Sequence, residues 1–148
     1  MRSLLDVNVL VALLDRGHTA HLAAHEWLAA HRSDGWASCP LTENGTLRVL
    51  TNPRYPAPVT PAEVLASLAA TKAGGDHEFW PADISVTDES RFDRSRMRGH
   101  QQVTDLYLLA LAVAHGGRLV TFDQGIAIEA VPGATVTNLV TVEAAPLS

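Results

Sequence analysis

Two apolar, strand-like segments of this chain each run directly into an aspartate. Asp6 interrupts the apolar run between Leu4 and Leu10, and Asp123 ends the run that begins at Arg118. Acids at strand ends are typical of open α/β sheets, which build their sites at the carboxyl edge of the strands. Because an unpaired acid among leucines and valines is costly to bury, this pattern constrains both the fold and the chemistry of the chain.

Strand-like and helix-like segments alternate along the chain, without internal repeats. Helices are predicted at residues 7–14, with Gly17 as the residue that follows the helix end, and at 18–31, 40–51, 61–72 and 104–115. Strands are predicted at residues 4–5, 35–39, 84–86, 119–122 and 134–139. This alternation predicts an α/β fold with a parallel sheet between helices. A chain of 148 residues with 47% hydrophobic content is expected to form one domain, residues 1–148.

Two further acids lie where helices begin. Glu43 falls in the first turn after Pro40, and Asp105 opens the helix that runs to His115. A first-turn carboxylate stabilises an exposed helix by about 0.3–1 kcal/mol, so both acids also have an ordinary structural explanation. Asp6 has no evident cap to make, which favours a functional role for it. Four acids brought together would repel one another unless they were protonated or bridged by a cation.

The charge of the chain argues against binding nucleic acid over its whole surface. Eleven Lys and Arg face sixteen Asp and Glu, a formal net charge of −5. Basic residues do cluster in one segment just before the helix of Asp105, namely at Arg91, Arg94, Arg96 and Arg98. Two interpretations stay open. The segment is either a local basic patch or a solvated surface turn with Asp93 as an internal partner.

The remaining cysteine and histidine residues indicate no zinc site. His18, His21 and His25 lie at helical spacing, and without a further ligand they are expected to be solvated or packed helix residues. Cys39 is the single cysteine and is expected to be a reduced core residue.

Asp6 breaks the first apolar run too early for a signal peptide or a membrane span. The chain is therefore expected to be soluble and cytoplasmic.

Each of the four acids lies in a short segment of characteristic sequence. Each segment is weak alone, and the specificity lies in their combination and order along almost the whole chain. The segments are Leu4-Leu5-Asp6-Val7-Asn8-Val9-Leu10, Leu41-Thr42-Glu43-Asn44-Gly45-Thr46-Leu47-Arg48-Val49, Thr104-Asp105-Leu106-Tyr107-Leu108-Leu109-Ala110-Leu111-Ala112 and Thr121-Phe122-Asp123. Together these segments resemble the PIN-domain ribonucleases, specifically the VapC toxins of bacterial toxin–antitoxin pairs. The resemblance implies an α/β/α sandwich around a parallel sheet and metal-dependent cleavage of RNA.

The resemblance also implies a set of site residues and partners. The family's four acids fall on Asp6, Glu43, Asp105 and Asp123, and its supporting polar positions fall on Asn8 and Thr121. The implied cofactor is Mg²⁺, with Mn²⁺ as a substitute, since hard cations prefer oxygen ligands. The implied partners are a VapB-like antitoxin, a second copy of the chain in a homodimer, and tRNA or ribosomal RNA as substrate.

Two other functions remain to be weighed. A phosphoryl-transfer protein of the receiver or phosphatase type would also place an acid at a strand end and bind Mg²⁺. Such proteins usually need a lysine near the phosphoryl group, and Lys72 is the only lysine of this chain. A non-catalytic PIN-like RNA-binding module would be expected to have lost some of the four acids, and all four positions are acidic here.

Overall fold

The computed structural model describes residues 1–144, which contain five β-strands and five α-helices. The strands are β1 (Ser3–Leu5), β2 (Trp36–Ser38), β3 (His77–Phe79), β4 (Arg118–Thr121) and β5 (Leu139–Thr141). The helices are α1 (Val7–Leu14), α2 (His21–Ala30), α3 (Pro40–Thr51), α4 (Pro61–Lys72) and α5 (Val103–Ala114). Short 3₁₀ turns occupy Arg32–Asp34, Arg94–Arg96, His100–Gln102, Ile128–Ala130 and Val136–Asn138.

All five strands are parallel and lie in the order β3-β2-β1-β4-β5. The chain starts in the middle of the sheet, moves outward through β2 to β3, and then returns to the other side of β1. The direction of winding therefore reverses between β1 and β4. In open parallel sheets this reversal leaves a crevice at the carboxyl ends of the two central strands.

Helices cover both faces of the sheet, as the alternation predicted. Successive residues of a strand point to opposite faces. Accordingly, Leu5 packs with Leu10 of α1 and Leu28 of α2, whereas Leu4 packs in a cluster with α5, including Leu108. Helices α3 and α4 form a third, smaller cluster with α1, through Leu50, Val64 and Val11. The predicted α/β/α sandwich is thus confirmed.

Close packing of α3 against α1 depends on a glycine. A Cβ atom added at Gly45 would lie 2.5 Å from Cγ2 of Val7, well inside van der Waals contact. Helix α4 begins with the predicted cap, because Thr60 accepts a hydrogen bond from the amide of Glu63 at 3.2 Å and the Glu63 carboxylate accepts one from the amide of Thr60 at 3.3 Å. The Gly45 contact sets how closely α3 packs against α1, and the cap at Thr60 fixes where α4 begins.

Two strand predictions were wrong. The third strand is His77–Phe79 and not residues 84–86, and it is an edge strand whose backbone pairs with β2. Its residues are half-buried or exposed, so they show no apolar run in the sequence. The last strand begins at Leu139 because Thr135 caps a 3₁₀ turn through the amide of Thr137 at 3.3 Å.

Two helix predictions near residue 17 also need correction. The helix predicted from His18 begins at His21, so His18 lies in the preceding turn. Gly17 does not follow directly on the end of α1, since that helix ends at Leu14 and Asp15 closes it with an extended backbone. Both corrections bear on the site described below.

Cys39 is buried and free, as the sequence predicted. Within residues 1–144, no helix combines the length and the apolar character that a membrane crossing requires.

Candidate active site

Three acids from distant parts of the chain meet at the carboxyl edge of the sheet. Asp6 follows β1, Asp123 lies two residues beyond β4, and Asp105 lies in the first turn of α5. One carboxylate oxygen from each of the three lies within 4.8 Å of the others. The convergence occurs at the reversal point between β1 and β4. The two strand-end acids therefore meet as their positions in the sequence predicted.

Asp6 is 5% exposed, and both of its carboxylate oxygens accept hydrogen bonds. Its Oδ1 accepts a hydrogen bond from the amide of Val7 at 2.7 Å, which makes Asp6 the N-cap of α1. The expectation that Asp6 has no cap to make was therefore wrong, because α1 starts directly after β1. Burial raises the pKa of the Asp6 carboxyl, bonds from Thr121 and Val7 oppose this rise, and the charge of Asp123 adds to it.

Thr121 connects the acids to one another. Its hydroxyl donates to Oδ2 of Asp6 at 2.7 Å and accepts from the amide of Asp123 at 3.0 Å. The side-chain amide of Asn8 donates to the same hydroxyl at 3.4 Å, and its Oδ1 accepts from the amide of Phe122 at 3.3 Å. Thr121 thus uses its donor and both acceptor positions, so it fixes the orientation of Asp6 relative to the turn that carries Asp123.

Burial and, after it, repulsion between carboxylates raise the pKa of two of the three acids, Asp6 and Asp105. Burial and the charges of Asp6 and Asp123 raise the pKa of Asp105 to about 6. Within residues 1–144, none of the three acids forms an ion pair with a lysine or arginine. A site of three converging carboxylates without an internal cation matches the oxygen donor set that Mg²⁺ and Mn²⁺ prefer. The donors present therefore fit a divalent metal.

Glu43 is not part of this cluster, although the sequence placed it with the other acids. Its Oε2 accepts hydrogen bonds from the hydroxyl of Ser38 at 2.6 Å and from Nζ of Lys72 at 2.8 Å. The same hydroxyl bonds Nε2 of His77 at 2.8 Å. Because the single hydroxyl hydrogen goes to Glu43, His77 is the donor in this second bond. Burial and the neighbouring Lys72 charge lower the pKa of His77.

Other residues that line the acidic cleft were missed by the sequence analysis. His18, Tyr55 and Thr104 border an open cleft of about 460 Å³ together with the three acids. The hydroxyl of Tyr55 donates to Asp15, and burial together with this bond raises the pKa of Tyr55 to about 12. No local motif marks His18 or Tyr55, because the turn after α1 and the loop after α3 meet only in the folded chain.

Comparison with known proteins identifies the family. A family model described as the PIN domain matches residues 3–132. Ribonuclease VapC44 of Mycobacterium tuberculosis is 54% identical over 141 residues, which cover 95% of this chain and 99% of that protein. The chain belongs to the PIN-domain VapC ribonucleases. Ribonuclease VapC39 of the same organism is 44% identical over 134 residues, which cover 90% of this chain and 96% of that protein.

Two solved structures share the PIN fold of this chain. VapBC2 from Rickettsia felis, bound to a DNA fragment from its promoter, matches with a TM-score of 0.63 and 13% identity over 97% of this chain and 100% of that chain. VapC20 of Mycobacterium tuberculosis, described as a sarcin–ricin loop cleaving toxin, matches with a TM-score of 0.60 and 14% identity over 89% of this chain and 98% of that chain. The resemblance seen in the four motifs is thus confirmed.

The arginine-rich segment of this PIN domain lies on the surface and is partly neutralised by its own acids. Arg94 forms an ion pair with Glu89, and Nε of Arg96 lies 3.3 Å from Oδ2 of Asp93. Arg91 and Arg98 form no ion pair within residues 1–144. The predicted internal partner Asp93 is therefore present, but it accounts for only one of the four arginines.

Proposed function

We propose that this chain is a divalent-metal-dependent endoribonuclease and the toxin of a toxin–antitoxin pair, built as a single domain over residues 1–148. The observation that carries the proposal is the convergence of Asp6, Asp105 and Asp123, without an internal cation among the described residues, at the reversal point of a PIN-domain sheet. Relatives that match nearly the full chain are named ribonucleases, which supports RNA as the substrate class.

Asp6 and Asp123 are the proposed direct ligands of Mg²⁺ or Mn²⁺, with Asp105 as a direct or water-mediated ligand. A divalent cation held by these acids supplies Lewis-acid chemistry, which acidifies water and offsets negative charge on a phosphodiester. Glu43 is proposed as the fourth acid. Its Oε2 accepts bonds from Ser38 and Lys72, whereas its Oε1 accepts none within residues 1–144 and is available for a water-mediated contact.

The protein's own groups orient this chemistry. Thr121 holds one oxygen of Asp6 and the amide of Asp123, so the two proposed ligands keep a fixed relative position. Asn8 holds the strand end through the amide of Phe122. Because these bonds form before substrate arrives, the carboxylates need little reorganisation when RNA binds. Asn8 and Thr121 are accordingly proposed as positioning residues.

The alternative functions receive less support. A phosphoryl-transfer enzyme would need its lysine beside the acids, whereas Lys72 is paired with Glu43 outside the three-acid cluster. A non-catalytic RNA-binding module would not need three carboxylates held together at an energetic cost, which the raised pKa of Asp105 reflects. Retention of this costly cluster supports catalysis.

A VapB-like antitoxin is the proposed protein partner. The structural neighbour from Rickettsia felis is a VapBC pair bound to promoter DNA, which supports pairing of this chain with an antitoxin. The three acids form no internal ion pair among residues 1–144, so they offer a place for a basic side chain of such a partner.

The chain is further proposed to act in the cytoplasm as a homodimer and to cut tRNA or ribosomal RNA. The neighbour named as a sarcin–ricin loop cleaving toxin supports a structured RNA target.

The central test replaces Asp6 by Asn, which removes a charge with little change of volume. We expect Asp6→Asn to fold and to lose divalent-dependent cleavage of purified tRNA and ribosomal RNA. Asp83→Asn is the matched control, since Asp83 is exposed and lies outside the cluster. Cleavage is measured with Mn²⁺, with Mg²⁺ and with EDTA. Wild-type activity in Asp6→Asn would show that the acid cluster is not required for RNA cleavage.

The four arginines Arg91, Arg94, Arg96 and Arg98 are proposed to contact RNA phosphates, and the ion pairs allow a matched comparison. Arg91 and Arg98 have no internal acid within the described chain, so replacing both by Gln should weaken RNA binding and reduce the salt dependence of the binding constant. The slope of log K against log salt should fall by roughly one for each arginine lost. Replacing the paired Arg94 and Arg96 should have the smaller effect. Unchanged affinity and slope in both double variants would show that the segment is a solvated surface turn that does not contact RNA.

A further inference from the structure

His18 lies in the turn between α1 and α2 and forms part of the wall of the acidic cleft. Its half-buried side chain borders the same cleft as Asp6, Asp105 and Asp123. It also borders an adjoining cleft on the side of β5, and Asn8 and Asp123 line both. Because the two clefts share these three residues, together they form one groove from the three acids past His18.

The hydrogen bonding of His18 determines which ring nitrogen carries the proton. Nδ1 accepts a hydrogen bond from the amide of Ala20 at 3.0 Å. A ring nitrogen that accepts a hydrogen bond carries no proton, so the neutral ring has its proton on Nε2. Within residues 1–144, Nε2 has no hydrogen-bond partner. The ring therefore presents a free N–H donor.

The turn that carries His18 is held in place from both sides. The backbone oxygen of Asp15 accepts from the amide of His18 at 3.0 Å, and the backbone oxygen of His18 accepts from the amide of His21 at 3.0 Å. Oδ1 of Asp15 also accepts from the amide of Gly17 at 2.9 Å. Because the backbone and Nδ1 are both fixed, the direction of the Nε2 donor is set before any ligand binds.

The chemistry of the cleft indicates what this donor meets. No lysine or arginine within residues 1–144 lines the cleft of the three acids, and one of the two amide hydrogens of Asn8 is already bonded to Thr121. The Tyr55 hydroxyl is likewise engaged by Asp15. A phosphodiester that enters this groove offers only hydrogen-bond acceptors on its phosphate. His18 supplies a nitrogen donor that remains unengaged.

We propose that the Nε2–H of His18 donates a hydrogen bond to a phosphate oxygen of the RNA strand bound in this groove. The proposal rests on the ribonuclease function proposed above and adds His18 to the residues that touch substrate. The sequence-based expectation that His18 is a solvated or packed helix residue was wrong about the helix, since His18 lies in the turn before α2.

Two isosteric replacements separate the two ring nitrogens. The amide of Asn reaches the position of Nδ1, so His18→Asn can still accept from Ala20 but ends short of the cleft. The amide of Gln reaches the position of Nε2, so His18→Gln restores a donor in the cleft and loses the contact to Ala20. His31→Asn is the matched control, because Nδ1 of His31 also bonds the backbone, at 2.8 Å from the oxygen of Trp27, and His31 follows the C-terminal end of α2 outside the acidic cleft.

The substrate for the test is a labelled RNA hairpin that carries the cleavage site mapped with the wild-type chain by sequencing RNA ends. We expect His18→Asn to lower kcat/KM roughly tenfold to a hundredfold, as loss of a hydrogen bond to a charged group implies. His18→Gln should retain most of the activity, and His31→Asn should match the wild type. Hairpin binding in EDTA should follow the same ranking, and the affinity for Mn²⁺ should not change.

Three results would overturn the proposal. An active His18→Asn beside an impaired and less stable His18→Gln would show that His18 only holds the turn through Nδ1. Equal activity in all variants would show that the ring does not touch RNA. Reduced Mn²⁺ affinity in His18→Asn would show that the residue acts through the acid cluster. Absence of divalent-dependent cleavage by the wild type would instead refute the proposed function, and the binding of total tRNA in EDTA would then still decide the role of His18.

Discussion

Replacing Asp105 by Asn should stabilise the metal-free protein at neutral pH and abolish its stabilisation by metal. The carboxyl of Asp105 has a pKa of about 6 against an ordinary value of 3.8, because of burial and the charges of Asp6 and Asp123. The folded state therefore favours the protonated form. Asn resembles that neutral form in size and hydrogen bonding, so the variant avoids the repulsion that the ionised wild type experiences.

The size of the effect follows from the two pKa values. Each pKa unit corresponds to about 1.36 kcal/mol, so the rise from 3.8 to about 6 corresponds to about 3 kcal/mol for a carboxyl shielded from solvent. Asp105 is only half-buried, and screening by water reduces this to roughly 1–1.5 kcal/mol. Because folding raises the pKa of Asp105, protonation of this carboxyl stabilises the folded state. That stabilisation is fully present below pH 3.8 and is lost as the pH rises through about 6.

The assay is urea unfolding of wild type and Asp105→Asn in EDTA at several pH values between about 4 and 8. The free energy of unfolding of the variant should exceed that of the wild type by roughly 1–1.5 kcal/mol near pH 7.5, and the difference should shrink toward pH 4. Asp83→Asn serves as the control and should show no such trend. Saturating Mg²⁺ should reverse the order. A constant difference across this pH range would refute the inferred repulsion among the three acids.

Three further predictions concern the surroundings of the cluster. Thr121→Val should lower the free energy of unfolding by about 1–3 kcal/mol, measured by urea unfolding, and should weaken Mn²⁺ binding, because Asp6 loses its hydroxyl donor. Lys72→Met should raise the pKa of His77 in an NMR titration, since the neighbouring cation lowers it, and should free the Oε2 of Glu43 from its ion pair. Mg²⁺ at a hundred times its dissociation constant should stabilise the wild type by about 2.7 kcal/mol in urea unfolding and should stabilise Asp6→Asn far less.

Sequence patterns predicted the fold where a segment is buried and regular. The strand ends at Asp6 and Asp123 could be located because apolar residues surround them and because parallel strands place their carboxyl ends on one edge. The helix that carries Asp105 has a clear helical period. These three positions follow from local patterns and one topological rule, and they are the three acids that the structure brings together.

Partly exposed segments could not be placed in the same way. The edge strand β3 consists of two polar residues and the exposed Phe79, and it is a strand because its backbone pairs with β2. The segment from 84 to 86 has a better apolar pattern, yet it packs as a loop, where the backbone oxygen of Ile84 accepts a hydrogen bond from Tyr107. His18 was likewise assigned to a helix because residues 18–31 follow an amphipathic helical pattern, whereas the hydrogen bonds of Asp15 close a turn there.

The position of Glu43 could not be predicted from the sequence, because its ion-pair partner Lys72 is 29 residues away along the chain. The sequence contains one lysine, and nothing near Lys72 indicates that it reaches the first turn of α3. In the folded chain, Lys72 and Ser38 hold the carboxylate of Glu43 outside the group of three. A fourth unpaired carboxylate among the other acids would add to the repulsion that already raises the pKa of Asp105. In the metal-free protein, Lys72 balances the charge of Glu43. Only the other three acids therefore repel one another before a metal binds.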